Sequence, residues 1–469
     1  MGGSVTSDRR TPTVHDDLAE AGPALAAQFD DRFCTDADIL AGHVAVQGWL
    51  RPQAPQAVLY AESAADVRAA IRIASQYQVP LLPYGGGTSI EGQTNAPFGG
   101  VCLDLSRMNA VLDVSRDDLT VTIQPGVRRE DLNDVLRAHG LFFPVDPGAN
   151  ATLGGMAGTR ASGTRAVGYG TMRDNVMTAE VVLASGEQIR VGSRAAKSAS
   201  GYDLLRLFVG SEGTLGVFVE LTLRVQPIPE RVQTGSAHFA SVGDAVAAMI
   251  AARRAGLFLS RVELLDTMSI RASNQYSDLD LPETPHLFFE LSGSAARVAA
   301  ELPVLDAILA DHHASAVELA EDADDGRRLW RSRHDLWWAT HALFPGRIGL
   351  PTDVCVPLTE LAGCIEFAIA EAEGAGIDAP LCGHVGDGNF HMLVMVDPDD
   401  ERSRDQATTF ARALATRAIE VGGTCSGEHG IGQGKRSLMR LEHGAGVDVM
   451  AALKLALDPL GILNPGKII

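Results

Sequence analysis

The sequence is short of positive charge and of long apolar runs, and each shortage excludes a class of protein. Its 39 lysine and arginine residues face 59 aspartate and glutamate residues, for a net charge of −20. A nucleic-acid partner is therefore not expected, because phosphate backbones select basic surfaces. No stretch reaches the roughly 18 consecutive apolar residues of a membrane span, and the N-terminal segment has the pattern of neither a secretory signal nor a transit peptide. We expect a cytoplasmic protein without a membrane span.

The cysteines lack any pairing pattern. Six occur, and the sequence contains no C-x-x-C pair, no zinc-finger spacing and no haem-attachment motif. Scattered thiols of this kind are typical of a reducing compartment, in which they stay free. The cysteines that we predict to be free thiols are Cys34, Cys102, Cys355, Cys364, Cys382 and Cys425.

The length of the chain and the changes in pattern along it indicate several domains. A chain of 469 residues exceeds what one compact core usually takes. Up to about residue 228, short apolar strands alternate with helices and glycine-rich turns, and Pro227 and Pro229 interrupt this pattern. The second half has the mixed pattern of an α+β fold. We predict four segments, at residues 1–50 (a helical lead-in), 51–228, 229–425 and 426–469.

Local signals place several elements. Ser63, followed three residues later by Asp66, fits a helix N-terminus, and the apolar positions that follow have the spacing of one helix face. The segments predicted as strands are 58–60, 79–82, 101–105, 119–123 and 286–291. The segments predicted as helices in the second half are 245–255 and 302–312.

A glycine-rich loop, Gly85 to Ser89, follows the strand predicted at 79–82. Bare glycines let backbone N–H groups approach phosphate oxygens. The loop lacks the G-x-G-x-x-G fingerprint, because Ile90 stands where the last glycine would be required, and no Gly-Lys-Ser/Thr of a P-loop follows. On its own it is compatible with a ligand site or with an ordinary turn.

Three further loops of this kind follow, at 147–155, at 161–164 with 169–176, and at 210–217. In order and approximate spacing, the series over residues 55–228 resembles the FAD domain of the vanillyl-alcohol-oxidase type, whose loops hold the pyrophosphate and isoalloxazine of FAD. The resemblance implies an α+β fold with this FAD-binding domain at 51–228. It also implies a substrate (cap) domain with an antiparallel sheet at 229–425 and a C-terminal segment at 426–469 that packs back on the FAD domain.

The resemblance also implies which residues contact the cofactor. These are Pro83, Tyr84, Gly85, Gly86, Gly87, Thr88, Ser89, Pro147, Gly148, Thr152, Gly154, Gly155, Ala161, Ser162, Gly163, Tyr169, Gly170, Glu212, Gly213, Gly216, Val217 and Asn464. Some members of that family attach FAD covalently through a histidine in the first loop. Residues 83–100 contain no histidine, and Thr88 and Ser89 occupy its place. Non-covalent FAD is therefore expected.

Two histidines in the second half flank a tight turn. His384 and His391 stand seven residues apart around Gly-Asp-Gly-Asn, which can fold one imidazole back toward the other. Two neutral imidazoles and a carboxylate suit zinc or a similar divalent ion, and Glu428 in Gly-Glu-His-Gly is the candidate carboxylate. From these residues alone, ordinary polar side chains remain an equally simple interpretation.

Both motifs, together with the ending Leu457 to Lys467, resemble the D-lactate and D-2-hydroxyglutarate dehydrogenase family. The resemblance implies that His384, His391 and Glu428 hold a divalent metal, zinc or manganese, and that His429 is the general base. It also implies that Arg333 clamps the substrate carboxylate. Asn389 and Trp337 are further candidate substrate contacts, although Trp337 and Trp338 are also compatible with helix packing.

The implied reaction is the oxidation of a small D-2-hydroxy acid. The D-2-hydroxyglutarate branch carries a lysine two residues before Asp353, where this chain has Pro351, and tends to carry threonine where this chain has Trp337. A site without that lysine suits a short or apolar tail, so D-lactate is the first candidate. D-2-hydroxyglutarate and glycolate remain alternatives within the same class.

Two readings from other classes stay open. One is a non-redox flavin-dependent transferase of the alkyl-dihydroxyacetonephosphate synthase type, whose histidine-rich active-site stretch is not found in this sequence. The other is a flavin-binding protein without activity. If the chain is a dehydrogenase, the absence of a haem or C-x-x-C motif means that electrons leave to a separate acceptor: a quinone, a cytochrome or an electron-transferring flavoprotein. A homodimer is possible.

Overall fold

The computed structural model describes residues 18–44 and 48–469. The lead-in comprises α1 (Leu18–Phe29), a 3₁₀ turn (Asp30–Arg32), β1 (Phe33–Cys34) and α2 (Ala37–Ala41). The part of the predicted helical lead-in at 1–17 and 45–47 lies outside the described residues. Of the described helices, none is long and apolar enough to cross a membrane, and the six cysteines are free.

A four-stranded sheet follows the lead-in. Its elements are β2 (Ala57–Tyr60), α3 (Ala64–Tyr77), β3 (Leu81–Tyr84) and β4 (Val101–Asp104). The strand order is β1-β2-β4-β3, with β4 parallel to β2 and to β3. As predicted, the Ser63 side chain accepts a hydrogen bond from the Asp66 N–H and begins α3, and α3 buries the predicted face of Val67, Ala70, Ile71 and Ala74.

The strand predicted at 79–82 begins two residues later than expected. The Val79 N–H bonds the Ala74 carbonyl at 2.9 Å and so still completes the end of α3. Pro80 has no N–H to give to a strand partner. The pairing with β4 therefore begins at Leu81.

A second, antiparallel sheet completes the first half, in the order β5-β6-β10-β8-β9. The elements of this part are β5 (Val111–Ser115), β6 (Thr120–Ile123), α4 (Arg129–Arg137), β7 (Leu141–Phe142), α5 (Leu153–Thr159), α6 (Ala166–Tyr169), α7 (Met172–Asn175), β8 (Val176–Val182), β9 (Gln188–Gly192), α8 (Leu204–Phe208), β10 (Val217–Arg224) and β11 (Gln226–Pro227). The glycine-rich loops connect these elements, and β11 pairs with β7.

The second half is built on an antiparallel sheet of order β15-β12-β14-β13-β18-β19-β16, with β17 paired to β19. Its elements are β12 (Arg231–His238), α9 (Val242–Arg254), β13 (Leu259–Leu265), α10 (Thr267–Ser277), β14 (His286–Gly293), α11 (Ala295–Asp311), β15 (Ala316–Leu319), α12 (Ala323–His334), α13 (Leu336–Leu343), β16 (Ile348–Pro351), β17 (Val354–Cys355), α14 (Leu358–Ala375), β18 (Leu381–Gly383), a 3₁₀ turn (Val385–Asp387), β19 (Asn389–Val396) and α15 (Glu401–Glu420). The predicted antiparallel cap sheet is thus confirmed.

The chain ends with α16 (Arg436–His443) and α17 (Gly446–Leu457) and then returns to the first half. The Leu81 N–H donates to the Ile462 carbonyl and the Asn464 N–H donates to the Leu81 carbonyl, both at 2.8 Å. Ile462 and Leu463 are buried in the same core cluster as β2, β3 and β4. This return brings the segment after α15 against the glycine-rich loops.

Candidate active site

One cavity of about 870 Å³ runs between the glycine-rich loops and the cap sheet. The predicted cofactor residues that line it are Pro83, Tyr84, Gly85, Gly86, Gly87, Thr88, Ser89, Pro147, Gly148, Thr152, Gly154, Gly155, Ala161, Glu212, Gly213, Gly216, Val217 and Asn464. The same cavity is lined by the three predicted metal ligands and also by His429, Arg333 and Trp337. The loops and the catalytic candidates, far apart in sequence, therefore share a single space.

Glycines line much of the loop end of the cavity and leave their backbone uncovered there. A Cβ atom built on Gly148 or Gly158 would meet no atom within 4 Å and would project into open space. Thr152 is buried there, and its Oγ1 has no hydrogen-bond partner. Bare backbone and an unpaired hydroxyl group suit a ligand that comes into direct contact with the loops.

Four predicted cofactor residues do not line the cavity. The Tyr169 hydroxyl group lies 3.1 Å from Ser292 Oγ on the cap sheet, and the Tyr169 ring packs edge-on against Phe258. Gly163 has φ +151° and faces the Asp146 carbonyl, while Gly170 ends α6 with φ +75°. Ser162 is absent from the cavity wall. This third loop shapes the contact between the two halves, which its glycine content did not reveal.

His384, His391 and Glu428 converge at the cap end. His384 follows β18, His391 lies on the paired strand β19, and Glu428 lies on the loop between α15 and α16. Their ligand atoms lie within 4.8 Å of one another. Glu428 Oε1 lies 3.2 Å from His384 Nε2 and 3.4 Å from His391 Nε2. Two imidazole nitrogens and a carboxylate facing a common point form a donor set that suits zinc or manganese.

Hydrogen bonds fix which nitrogen of each histidine faces that point. His391 Nδ1 lies 2.9 Å from the Thr352 carbonyl oxygen, which leaves Nε2 toward Glu428. His384 Nδ1 contacts the carboxylate of Glu263, so its Nε2 also faces Glu428. A histidine that binds a metal through one ring nitrogen usually forms a hydrogen bond through the other, and this bond orients the ring. Glu428 Oε2 is buried without a hydrogen-bond partner, so the donor set has unused capacity.

The charges at this point favour a cation. Burial alone would lower the pKa of His384, but the carboxylates of Glu263 and Glu428 outweigh it and raise that pKa well above its ordinary value. Burial alone would raise the pKa of Glu428, but His384 and His391 hold it well below its ordinary range. Glu428 is therefore ionised beside the two imidazoles.

His429 is held by Asp353. The Glu428 and His429 N–H groups both donate to Asp353 Oδ2 at 2.9 Å, and the His429 ring stacks on His391 at 5.0 Å. Burial lowers the pKa of His429 to about 4. The imidazole is therefore neutral near pH 7 and able to accept a proton. Asp353, fully buried between β16 and β17, was not among the predicted site residues.

Arg333 and His384 share one carboxylate. The Arg333 Nε donates to Glu263 Oε2 at 2.6 Å, while Glu263 Oε1 contacts His384. Glu263 lies on β13 and is fully buried. The guanidinium therefore keeps its outer N–H groups for a ligand in the cavity. Sequence reasoning missed Glu263, because its only signal is one more polar residue in a strand that also contains Ser260 and Arg261.

The other predicted substrate contacts divide. Trp337 lines the cavity, as does Pro351, which stands where the D-2-hydroxyglutarate branch has lysine. Asn389 does not line it: its Nδ2 donates to Asp353 Oδ1 at 2.8 Å and to the Val354 carbonyl at 2.7 Å. Both donors are thus used inside the cap, and Asn389 supports Asp353 instead of facing a substrate as predicted.

Comparison with known proteins agrees with this geometry. Residues 55–192 match the family described as "FAD binding domain", and residues 228–468 match "FAD linked oxidases, C-terminal domain". A probable mitochondrial D-lactate dehydrogenase of Danio rerio is 44% identical over 89% of this chain and 85% of its own. The mitochondrial D-lactate dehydrogenase [cytochrome] of Arabidopsis thaliana is 41% identical over 95% of this chain and 78% of its own.

The chain belongs to the FAD-linked oxidase family that includes these D-lactate dehydrogenases. The resemblance drawn from the sequence motifs is thereby confirmed, and the chain is an FAD-dependent enzyme. A third relative, the glycolate oxidase subunit GlcD of Bacillus subtilis, is 35% identical over 88% of both chains.

Two solved structures share the fold of this family member. p-Cresol methylhydroxylase with substrate bound matches with a TM-score of 0.82 and 17% identity over 97% of this chain and 98% of that one. An alkyldihydroxyacetonephosphate synthase matches with a TM-score of 0.74 and 20% identity over 95% of this chain and 84% of that one. These likenesses confirm the vanillyl-alcohol-oxidase type of fold. They do not separate oxidation from transfer.

The cavity of this FAD-linked oxidase fits its cofactor. It joins residues of all four glycine-rich loops to the His384 cluster in one space, and its loop end offers bare backbone at Gly148 and Gly158. Sequence reasoning missed Gln93, which also lines the cavity. The signal was present, since Gln93 lies only four residues after Ser89, the end of the first glycine loop.

Proposed function

We propose that this enzyme oxidises a small D-2-hydroxy acid, with D-lactate as the first candidate, to the corresponding 2-oxo acid. The observation that supports it best is the convergence of His384, His391, Glu428, His429 and Arg333 on one end of a cavity whose other end carries the FAD loops. The D-lactate dehydrogenases among its relatives support the same assignment.

Each side chain has a task that its position permits. The outer N–H groups of Arg333 would form paired hydrogen bonds with the substrate carboxylate, a geometry that suits a guanidinium. Glu263 holds Arg333 and His384 at a fixed spacing. His429, neutral at pH 7, would accept the hydroxyl proton at Nε2, while Asp353 holds its backbone in place.

Two groups that the chain binds would supply the remaining chemistry. FAD held by the glycine-rich loops would supply the acceptor for the hydride that leaves C2 of the substrate. A divalent ion, zinc or manganese, held by His384, His391 and Glu428 would acidify the substrate hydroxyl group and orient it. We propose that FAD is not covalently attached, because no histidine occurs at 83–100. The electron acceptor is proposed to be a separate molecule.

Trp337 and Pro351 support a short or apolar substrate tail, because neither side chain pairs with a second carboxylate. The glycolate oxidase subunit among the relatives favours glycolate as the second candidate. D-2-Hydroxyglutarate is the third candidate, because Pro351 stands where that branch has the lysine that would pair with a second carboxylate.

A panel of hydroxy acids tests the proposal. The rate of flavin bleaching near 450 nm would be measured anaerobically with D-lactate, L-lactate, glycolate and D-2-hydroxyglutarate. We expect D-lactate to react fastest and L-lactate to be inert. A faster reaction with glycolate or the diacid would keep the mechanism and reassign the substrate. Bleaching by none of them would refute the oxidation and revive the transferase alternative.

A further inference from the structure

The loop that carries His429 is held from both halves of the molecule at once. On one side, Asp353 of the cap accepts the His429 N–H at 2.9 Å. On the other side, Gln93 of the FAD domain donates its Nε2–H to the His429 carbonyl at 2.8 Å. The two ends of one residue are thus bonded to two different domains.

Glu212 adds a second tie from the FAD domain. Its Oε1 accepts the Ile431 N–H at 2.6 Å and its Oε2 accepts the Gly432 N–H at 2.8 Å. Glu212 belongs to the fourth glycine-rich loop and adopts φ +51°, a left-handed conformation that is uncommon for a residue other than glycine. The Asn464 amide donates to the Glu212 carbonyl at 2.7 Å and braces that loop.

Both side chains are committed to these contacts. Gln93 is 5% exposed, and its Oε1 accepts the Glu91 N–H at 3.0 Å, so its amide is fixed in one orientation. Glu212 is 6% exposed and spends both oxygens on the loop after His429. A side chain at Gly430 would collide with Glu212 Oε1 at 2.5 Å and with Gln93 Nε2 at 2.9 Å. The FAD domain therefore packs directly against the loop that carries His429, with no room for an added side chain at Gly430.

We propose that Gln93 and Glu212 are positioning residues of the FAD domain that set the distance between His429 and the flavin. This inference rests on the proposed function, in which His429 takes the hydroxyl proton while the flavin takes the hydride from the adjacent carbon. The cap holds the substrate through Arg333, whereas the FAD domain holds the flavin. Domains of one chain move relative to one another unless a large apolar interface holds them, and the hydrogen bonds from Gln93 and Glu212 tie the His429 loop to the domain that holds the flavin.

Single variants test the proposal. Gln93→Met removes the amide at similar size, and Glu212→Gln replaces one acceptor oxygen with a donor. We expect the limiting rate of anaerobic flavin reduction to fall about 10- to 100-fold in Gln93→Met, since a displacement of about 1 Å has that effect. The D-lactate Kd should stay within about three-fold, and the FAD Kd of each apoprotein is measured separately so that rates are compared at FAD saturation. The matched control is Gln124→Met. In the wild-type enzyme, Gln124 Oε1 accepts the Ala110 N–H outside the cavity.

A second background separates positioning from general damage. In His429→Ala there is no base to position, so adding Gln93→Met should lower the residual rate less than about two-fold, which is a strongly non-additive cycle. Equal losses in both backgrounds would overturn the proposal, as would an unchanged rate in Gln93→Met and Glu212→Gln. If Gln93→Met does not fold, Glu212→Gln alone is put through the same cycle.

The two proposals fail in different ways. If wild-type enzyme is bleached by D-lactate and the variants behave like Gln124→Met, only the positioning role is lost. If no D-2-hydroxy acid bleaches the wild-type enzyme, the proposed function is lost and the positioning role with it.

Discussion

The two ends of the cavity are built from different materials. At the FAD end the wall is rich in glycine, and an added Cβ at Gly148 or Gly158 would reach into open space. At the cap end the wall consists of charged side chains in fixed pairs, such as Glu263 with both Arg333 and His384. The glycine-rich end accommodates a large ligand. The charged end holds a few side-chain atoms at fixed positions for the proposed transfer of a proton and a hydride.

The difference predicts two separable kinds of failure. Changes at the FAD end should weaken cofactor binding and leave the metal ligands intact. Changes at the cap end should stop the chemistry while FAD stays bound. A variant that did both would break the comparison.

The largest effect is expected at a metal ligand. His384→Ala removes one of two imidazoles, so metal content measured by mass spectrometry should fall from about one per chain to near zero, and flavin reduction by D-lactate should fall at least about 1000-fold. FAD absorbance per chain should be unchanged. His443→Ala, at an exposed histidine on α16, should alter neither value, and full metal content in His384→Ala would contradict the assigned ligands.

Glu263→Gln should have the next largest effect. The amide keeps the size of the side chain but loses the charge that holds His384 and Arg333 together. Loss of such outer support typically costs about 10- to 100-fold in metal affinity or activity. Metal Kd and the D-lactate KM should both rise. Glu318→Gln, an exposed partner of Arg328, serves as the control, and wild-type values in Glu263→Gln would show that the shared carboxylate is dispensable.

A smaller effect is expected at the other end of the cavity. In Gly148→Leu the new side chain occupies open space beside the loop and competes with the cofactor. FAD affinity of the apoprotein, followed by flavin fluorescence, should weaken about ten-fold, which is about 1.4 kcal/mol. Metal content should stay at the wild-type level, and its loss would argue against the independence of the two ends.

The smallest effect is a gain. Gly363 lies in the middle of α14, is exposed, and has room for a Cβ with no atom within 4 Å. Gly363→Ala should raise the free energy of unfolding by about 0.5–1 kcal/mol in a denaturant titration, because alanine loses less backbone entropy in a helix. Flavin reduction should not change. Destabilisation would contradict the assignment of Gly363 to an exposed helix position with room for a side chain.

The same division explains what could be predicted from sequence. Glycine loops are visible in a sequence because they are local and compositionally unusual, and each of the four predicted loops contributes residues to the cavity wall. The third loop was only partly right, because Ala161 lines the cavity whereas Tyr169 contacts Ser292 and Phe258 of the cap. Glycine content cannot distinguish contact with the cap from contact with a ligand. The strand predicted at 79–82 was displaced by Pro80, whose effect on pairing depends on the neighbouring strand.

At the cap end, the motifs contain the three proposed metal ligands but not the carboxylates that contact them. His384, His391 and Glu428 stand in recognisable clusters and come together as predicted. Glu263, on β13, contacts His384 from 121 residues away along the chain, and Asp353, just before β17, accepts the Glu428 N–H from 75 residues away. Only the sheet topology brings these carboxylates to the site, and the spacing along the sequence carries no trace of it. Asn389 was assigned to substrate for the same reason, since its partner Asp353 was not identified.

One measurement tests the central claim, that the cap end performs the chemistry and the FAD end holds the cofactor. FAD-loaded enzyme would be treated with a chelator, freed of metal and mixed anaerobically with D-lactate while absorbance near 450 nm is followed. The account predicts that FAD stays bound and oxidised, that dithionite still bleaches it, and that added zinc or manganese restores bleaching by D-lactate. Bleaching by D-lactate at an unchanged rate in metal-free enzyme would contradict the account.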